Sequence, residues 1–157
     1  MMDKIDEILK EYDENARMAL VCEDDPEALK NIKAALAELR YSVEAAAGAE
    51  DAFEKLKFNR YDVVVLGEKF AGSTPDNNAF LKHLQVMPMS TRRHIFVALL
   101  GEALATLDNM SAFDKSVNVV INRKDLPNIK GILKRSVHDY EQFYKVYKES
   151  LVKMGKM

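Results

Sequence analysis

The sequence predicts an α/β protein built on a five-stranded, doubly wound parallel sheet, and three observations carry that prediction. Short aliphatic or β-branched runs recur five times, at Met18–Cys22, Ser42–Ala46, Asp62–Leu66, His94–Leu100 and Val117–Asn122. Segments of helical period separate them. Two runs, Val63-Val64-Val65-Leu66 and Phe96-Val97-Ala98-Leu99-Leu100, are continuously apolar, as strands covered on both faces are. The alternation is that of the flavodoxin-like sheet, and the 157 residues supply one domain's worth of chain. In such sheets ligands collect at the carboxyl ends of the strands, so function is sought there.

Each helical segment is justified in turn. Pro26–Arg40 sets Leu29, Ile32, Leu36 and Leu39 on one face. Asp25 is its N-cap, and Pro26 suits the first helical position, where a missing N–H is harmless. Ala49–Phe58 buries Ala52, Phe53 and Leu56. The Phe70–Asp76 stretch is rich in Gly, Ser, Thr and Pro and reads as a surface loop. A third helix is expected over Asp76–Gln85 with Phe80, Leu81 and Leu84 inward, and a fourth, weakly patterned one over Ala103–Phe113. The last starts near Leu126 and continues to about Met154.

That last helix outruns the needs of the sheet. Leu133, Val137, Tyr140, Tyr144, Tyr147, Leu151 and Met154 step by four and three, a heptad seam rich in tyrosine. At the other end Met2, Ile5, Ile8, Leu9 and Tyr12 make a second stripe, an extra N-terminal helix over residues 1–16. The domain itself is expected over 17–140, with 141–157 an extension of the last helix. Residues 1–15 carry net charge −4 and residues 126–157 net +4. Both segments belong at the end of the sheet opposite the strand termini, so they are expected to pair, antiparallel. A leftover apolar face then favours a homodimer as a four-helix bundle, with Tyr140, Tyr144, Tyr147 and Leu151 as the contact surface.

Composition excludes several classes. A net charge of −2 from 23 basic and 25 acidic residues is not that of a protein that grips nucleic acid by its phosphates. No apolar run reaches the length of a membrane span, and a single cysteine, Cys22, fits a reducing compartment, so the expected location is cytoplasmic without membrane contact. Neither a Gly-x-Gly-x-x-Gly nor a P-loop is present. His83, His94 and His138 lack metal-ligand spacing, and Ser73, Ser90 and Ser111 lack a nucleophile-elbow context. No enzyme is read from these residues.

The strand ends carry the sharper signal. Cys22-Glu23-Asp24-Asp25-Pro26 places an acidic cluster beyond strand one, either a seat for Mg²⁺ or a helix cap beside two solvated acids. Together with Ala19-Leu20-Val21, Tyr61-Asp62-Val63-Val64-Val65-Leu66 and Gly48-Ala49-Glu50-Asp51-Ala52, this stretch resembles the receiver (CheY-like) domain of bacterial two-component response regulators, over roughly Arg17–Tyr140. The resemblance implies a Mg²⁺-assisted phosphoryl switch within two-component or phosphorelay signalling. It also implies five chemical groups. The acidic pair is met by Glu23 and Asp24. The phosphoryl-accepting aspartate ending strand three is replaced by Gly67. The Thr or Ser ending strand four is replaced by Leu99, or Leu100 one step on. The lysine ending strand five falls at Arg123 or Lys124, followed by Asp125 and Leu126 where the family has a cis proline.

These substitutions agree with one another. Without a carboxylate at 67 no acyl phosphate forms there and a Mg²⁺ ligand is missing, so the metal site at Glu23 and Asp24 is expected to be weak or absent. The expectation is a pseudo-receiver: a non-enzymatic signalling or scaffold module without a cofactor, acting through protein–protein contact. Two alternatives stand beside it. One is a phosphoryl switch using Glu68, although a one-residue shift along a strand turns a side chain to the opposite face. The other is a small-ligand sensor in the remodelled strand-end crevice. Lys69, Arg123 and Lys124 are also candidates to neutralise Glu23 and Asp24 directly, for less than ~1 kcal/mol if exposed.

Overall fold

The computed structural model describes residues 17–155. Its strands are β1 (Met18–Cys22), β2 (Ser42–Ala45), β3 (Val63–Gly67), β4 (Phe96–Gly101) and β5 (Val119–Asn122), all parallel, in the order β2-β1-β3-β4-β5. Its helices are α1 (Pro26–Glu38), α2 (Ala49–Phe58), α3 (Ala79–Val86), the single turn α4 (Met89–Arg92), α5 (Asn109–Lys115) and α6 (Ile129–Lys153). The chain leaves β1 for β2 on one side and returns for β3 on the other. The crevice beyond the carboxyl ends of β1 and β3 is therefore the topological switch point.

Period-two alternation along the strands divides the core into two layers. Ala19, Val21, Val63, Val65, Ala98, Leu100 and Ile121 face α1 and α6, where Ile32, Leu36, Ile129 and Leu133 meet them. Leu20, Cys22, Val64, Leu66, Val97, Leu99 and Val120 face the other way, toward Ala52, Phe80, Leu84 and Ala112 of α2, α3 and α5. The central strands β3 and β4 are buried along their whole length, as their unbroken apolar text requires.

Several boundaries differ from the sequence expectation, and side-chain caps explain them. The third helix starts at Ala79, three residues late, because Asn78 caps it: the Asn78 side chain accepts from Leu81 N–H at 3.0 Å. The fourth begins at Asn109 instead of Ala103. Asp108 accepts from Met110 N–H at 3.1 Å and Ser111 N–H at 3.4 Å, and the preceding Leu107 is left-handed, with φ 67°. The stretch before it is held as a loop. The last helix is entered through a 3₁₀ turn over Arg123–Asn128 and then runs unbroken from Ile129 to Lys153, past the expected domain limit at Tyr140. The Phe70–Asp76 loop is not wholly a surface feature. It opens with a 3₁₀ turn, Phe70–Gly72, whose Phe70 ring is buried. The expected N-terminal helix over 1–16 lies outside the described residues. Among the described residues no helix is long and apolar enough to cross a membrane.

Candidate functional site at the strand ends

Four strand ends converge at the switch point. β1 delivers Glu23 and Asp24, β3 delivers Gly67 and Glu68, β4 ends in Leu100 and Gly101, and β5 leads through Asn122 into Arg123. The register decides between the two leucines. Gly67 pairs with Leu100 and Leu66 with Leu99. Leu100 thus shares the face on which a side chain at 67 would stand, while Leu99 turns into the opposite layer. Both are fully buried.

The dominant interaction is an ion pair. The Arg123 guanidinium donates to both Glu23 carboxylate oxygens, at 2.7 and 2.9 Å, and the Glu23 side chain is only 4% exposed. The pair sits where a side chain at Gly67 would go. A Cβ added there would lie 2.7 Å from Glu23 Oε2 and 3.2 Å from the nearer Arg123 nitrogen. A carboxylate beyond strand one and a guanidinium beyond strand five have closed over the end of strand three.

The neighbouring acids are spent locally. The Asp24 carboxylate accepts from the Ala71 N–H at 2.7 Å, which ties the β3–α3 loop to β1. Asp25 caps α1 through Ala28 N–H at 3.4 Å. Lys69 pairs with Glu102 at 3.2 Å, both exposed, instead of with Glu23 or Asp24. The exposed Lys124 has its backbone N–H on the Asn122 side chain at 3.0 Å, and its ammonium makes no ion pair with the described residues. Of the three candidate cations only Arg123 reaches the acidic pair.

Glu68 points away from this pair, as the one-residue shift requires. Its carboxyl packs over Gly101, where an added Cβ would lie 2.5 Å from the carboxyl carbon. Burial pushes its pKa above the ordinary 4.5, and the positive fields of Lys115, Arg123 and Lys69 oppose that rise. Two glycines at neighbouring strand ends thus each make room for a buried glutamate. The crevice beside Glu68, lined by Lys69, Pro75, Gly101 and Arg123 among others, holds only about 140 Å³.

Sequence reasoning missed three supports of the site. The buried Asn78 amide donates to the carbonyls of Gly67 and Glu68, at 3.2 and 3.1 Å, fixing the end of β3 from the start of α3. Its signal was present, since Asn before an apolar helical run is an N-cap pattern. Thr106 donates to Asp125 and accepts from Asn122 N–H at 2.8 Å. Asn122 in turn donates to the carbonyls of Leu104 and Glu102, at 2.6 and 3.1 Å. These bonds fasten the β4–α5 loop to the end of β5, and no local pattern announces them.

The tyrosine seam lies at the opposite end of the sheet. Tyr140 packs edge-on against Phe96 with ring centroids 5.4 Å apart, and its hydroxyl donates to the Arg93 carbonyl. Tyr144 follows at 4.6 Å from Tyr140, and Tyr147 at 5.9 Å from Tyr144, with its hydroxyl accepting from Arg93 at 2.8 Å. Exposure rises along the seam: Leu133 and Val137 are buried, Tyr144 and Leu151 are half-buried, and Phe143 and Val146 beside them are exposed. Cys22 is buried in the sheet, and burial raises its thiol pKa, which keeps it unreactive. Among the described residues no three His, Cys, Asp or Glu side chains come together as a metal-binding group.

No protein-family model matches the chain, and no curated protein matches it in sequence. Solved structures do match. The receiver domain of a Francisella response regulator superposes with a TM-score of 0.61 at 17% identity, covering 81% of this chain and 98% of that one. A CheY-like receiver domain protein from Methanospirillum hungatei gives 0.61 at 15% identity over 80% and 97%. An orphan response regulator of H. pylori gives 0.59 at 12% identity over 78% and 97%. On these superpositions the chain has the receiver-domain fold of response regulators.

Proposed function

We propose that this chain is a pseudo-receiver: a non-enzymatic signalling or scaffold module that takes no phosphoryl group at the usual strand-end position and acts by protein–protein contact. The observation that carries the reading is the Glu23–Arg123 pair standing over Gly67. Phosphoryl transfer to a carboxylate needs an open acceptor, a metal and donors aimed at the developing charge. At the register position beside Gly67, Leu100 offers no donor. The donor set also fits Mg²⁺ poorly. Hard divalent ions want several free oxygens, yet Glu23 is neutralised by a guanidinium at 2.7 Å and Asp24 is held by a backbone N–H. The ion pair does internally what phosphate and metal do in a switch: it fixes the loops in one arrangement.

The two other readings have less behind them. Glu68 as acceptor must leave its packing over Gly101, on the side away from the acidic pair. A crevice of about 140 Å³ is below the roughly 300 Å³ at which ligand pockets begin. The contact surface we assign is the exposed end of the seam, Tyr144 to Leu151 with Phe143 and Val146 beside it, and a second copy of the chain is one partner it suits. Intact mass after incubation with acetyl phosphate and Mg²⁺, next to a phosphorylatable receiver as control, tests the reading. Unchanged mass is expected, and an adduct of one phosphoryl group overturns it.

A further inference from the structure

A groove of about 750 Å³ lies at the base of the sheet, where β1, β3 and β4 begin and α6 passes beneath them. Its floor is apolar and aromatic, made by Met18, Tyr41, Phe96, Val137, Tyr140 and Tyr144. Its rim is basic, with Arg60, Arg93, Lys145 and Lys148. Two of its three carboxylates are already committed. Asp62 accepts from Met18 N–H at 2.9 Å, and Glu141 pairs with Arg17 at 3.3 Å. Lys145 and Lys148 have no acidic partner among the described residues.

The chain itself supplies a complement. Arg17, the first described residue, is fastened to Glu141 of α6 next to the groove, and Met18 lies in the groove floor. The sixteen residues before it are therefore attached at a point beside the groove. Residues 1–15 carry net −4 and hold the stripe Met2, Ile5, Ile8, Leu9 and Tyr12. The sequence pattern, read at 100° per residue, would set Asp6 and Asp13 on one border of that stripe, two turns apart. Twelve residues at helical rise span about 18 Å, the scale of the α6 turns from Val137 to Lys148.

We propose that this groove is the seat of the chain's own N-terminal segment, with the stripe from Met2 to Tyr12 against the aromatic floor and its acids against Lys145, Lys148, Arg60 and Arg93. The covalent link gives the segment an effective concentration no free acidic peptide of equal affinity matches. The seat is at the end of the sheet opposite the phosphoryl position and does not depend on how that position is read. Its consequence is that a partner using the base of the sheet must displace the segment.

The test is amide hydrogen exchange on the full chain, with the protein as it is and with charge-reversed variants. Residues 2–12 are expected to be protected independently of protein concentration. Asp6→Lys with Asp13→Lys, and separately Lys145→Glu with Lys148→Glu, should each lower that protection about tenfold, as the loss and reversal of two surface ion pairs implies. Combining all four should restore it, which a general loss of structure would not do. Exchange of residues 2–12 at unstructured rates in the unaltered chain overturns the proposal. So does protection unmoved by either pair of reversals. Protection that rises with protein concentration also overturns it, and assigns the groove to the segment of a second copy.

Discussion

The two ends of the sheet differ in how they use charge. At the carboxyl ends of the strands the three acids that follow β1 are matched from within: Glu23 by Arg123, Asp24 by the Ala71 N–H, Asp25 by the first turn of α1. At the base, cations outnumber anions, aromatic rings line an open groove, and Lys145 and Lys148 lack acidic partners among the described residues. The first end pairs the acids that follow β1 from within, and the second presents, among the described residues, an aromatic groove with a basic rim. A receiver-like sheet does not oblige function to remain at its strand ends.

The largest effect that sharpens this contrast lies within one helix. Leu133→Ala removes a side chain sealed between α6 and the sheet and should cost about 3 kcal/mol of stability. Tyr147→Ala, on the same seam near the open end, should cost under about 1 kcal/mol. Urea unfolding measures both, and equal costs would show that the tail is as much core as the domain. Next is the ion pair. Arg123→Met leaves Glu23 buried and uncompensated and should cost about 2 kcal/mol, less than a fully buried pair because the Arg123 side chain is 22% exposed. A change within experimental error in the unfolding midpoint would break the view of the strand ends as a locked unit.

The smallest effect is a pH dependence. Burial raises the Glu68 pKa, so the folded protein holds this proton more tightly than the unfolded chain does. Its contribution to stability is complete below about pH 4.5 and is lost as pH rises through the folded value. Glu68→Gln should therefore gain stability on the unaltered protein as pH rises from that value toward neutrality. Paired thermal melts across this range check the sign. A gain toward acid pH instead would mean that the lysines and Arg123 outweigh burial.

Legibility in the sequence followed the range of the interactions. The strands were readable because the sheet is buried on both faces and leaves continuous apolar text, as in Val63–Leu66. Helix starts at Asp76 and Ala103 were misplaced because Asn78 and Asp108 won the caps, and the difference lies in which of several polar residues finds the free N–H groups. The sequence offers the candidate site as a set of positions: Glu23, Asp24, Gly67, either of two leucines, and Arg123 or Lys124. Which leucine flanks Gly67 was not legible, since that is a matter of register between strands thirty residues apart.

The sequence by itself determined the five strands, the doubly wound alternation and the absence of a carboxylate and a hydroxyl at two positions of the strand ends. These are matters of residue identity and of periods two and 3.6, which are local. The tertiary structure alone decided that Arg123, one hundred positions from Glu23, is the cation that meets it, while Lys69 and Lys124 are not. It alone decided that Glu23 and Glu68 pack onto two glycines of neighbouring strands. It also set the tyrosine seam beneath the sheet beside the point where the chain begins its first strand. Such pairings depend on where distant segments are brought together, and composition and spacing along the chain carry no record of that distance.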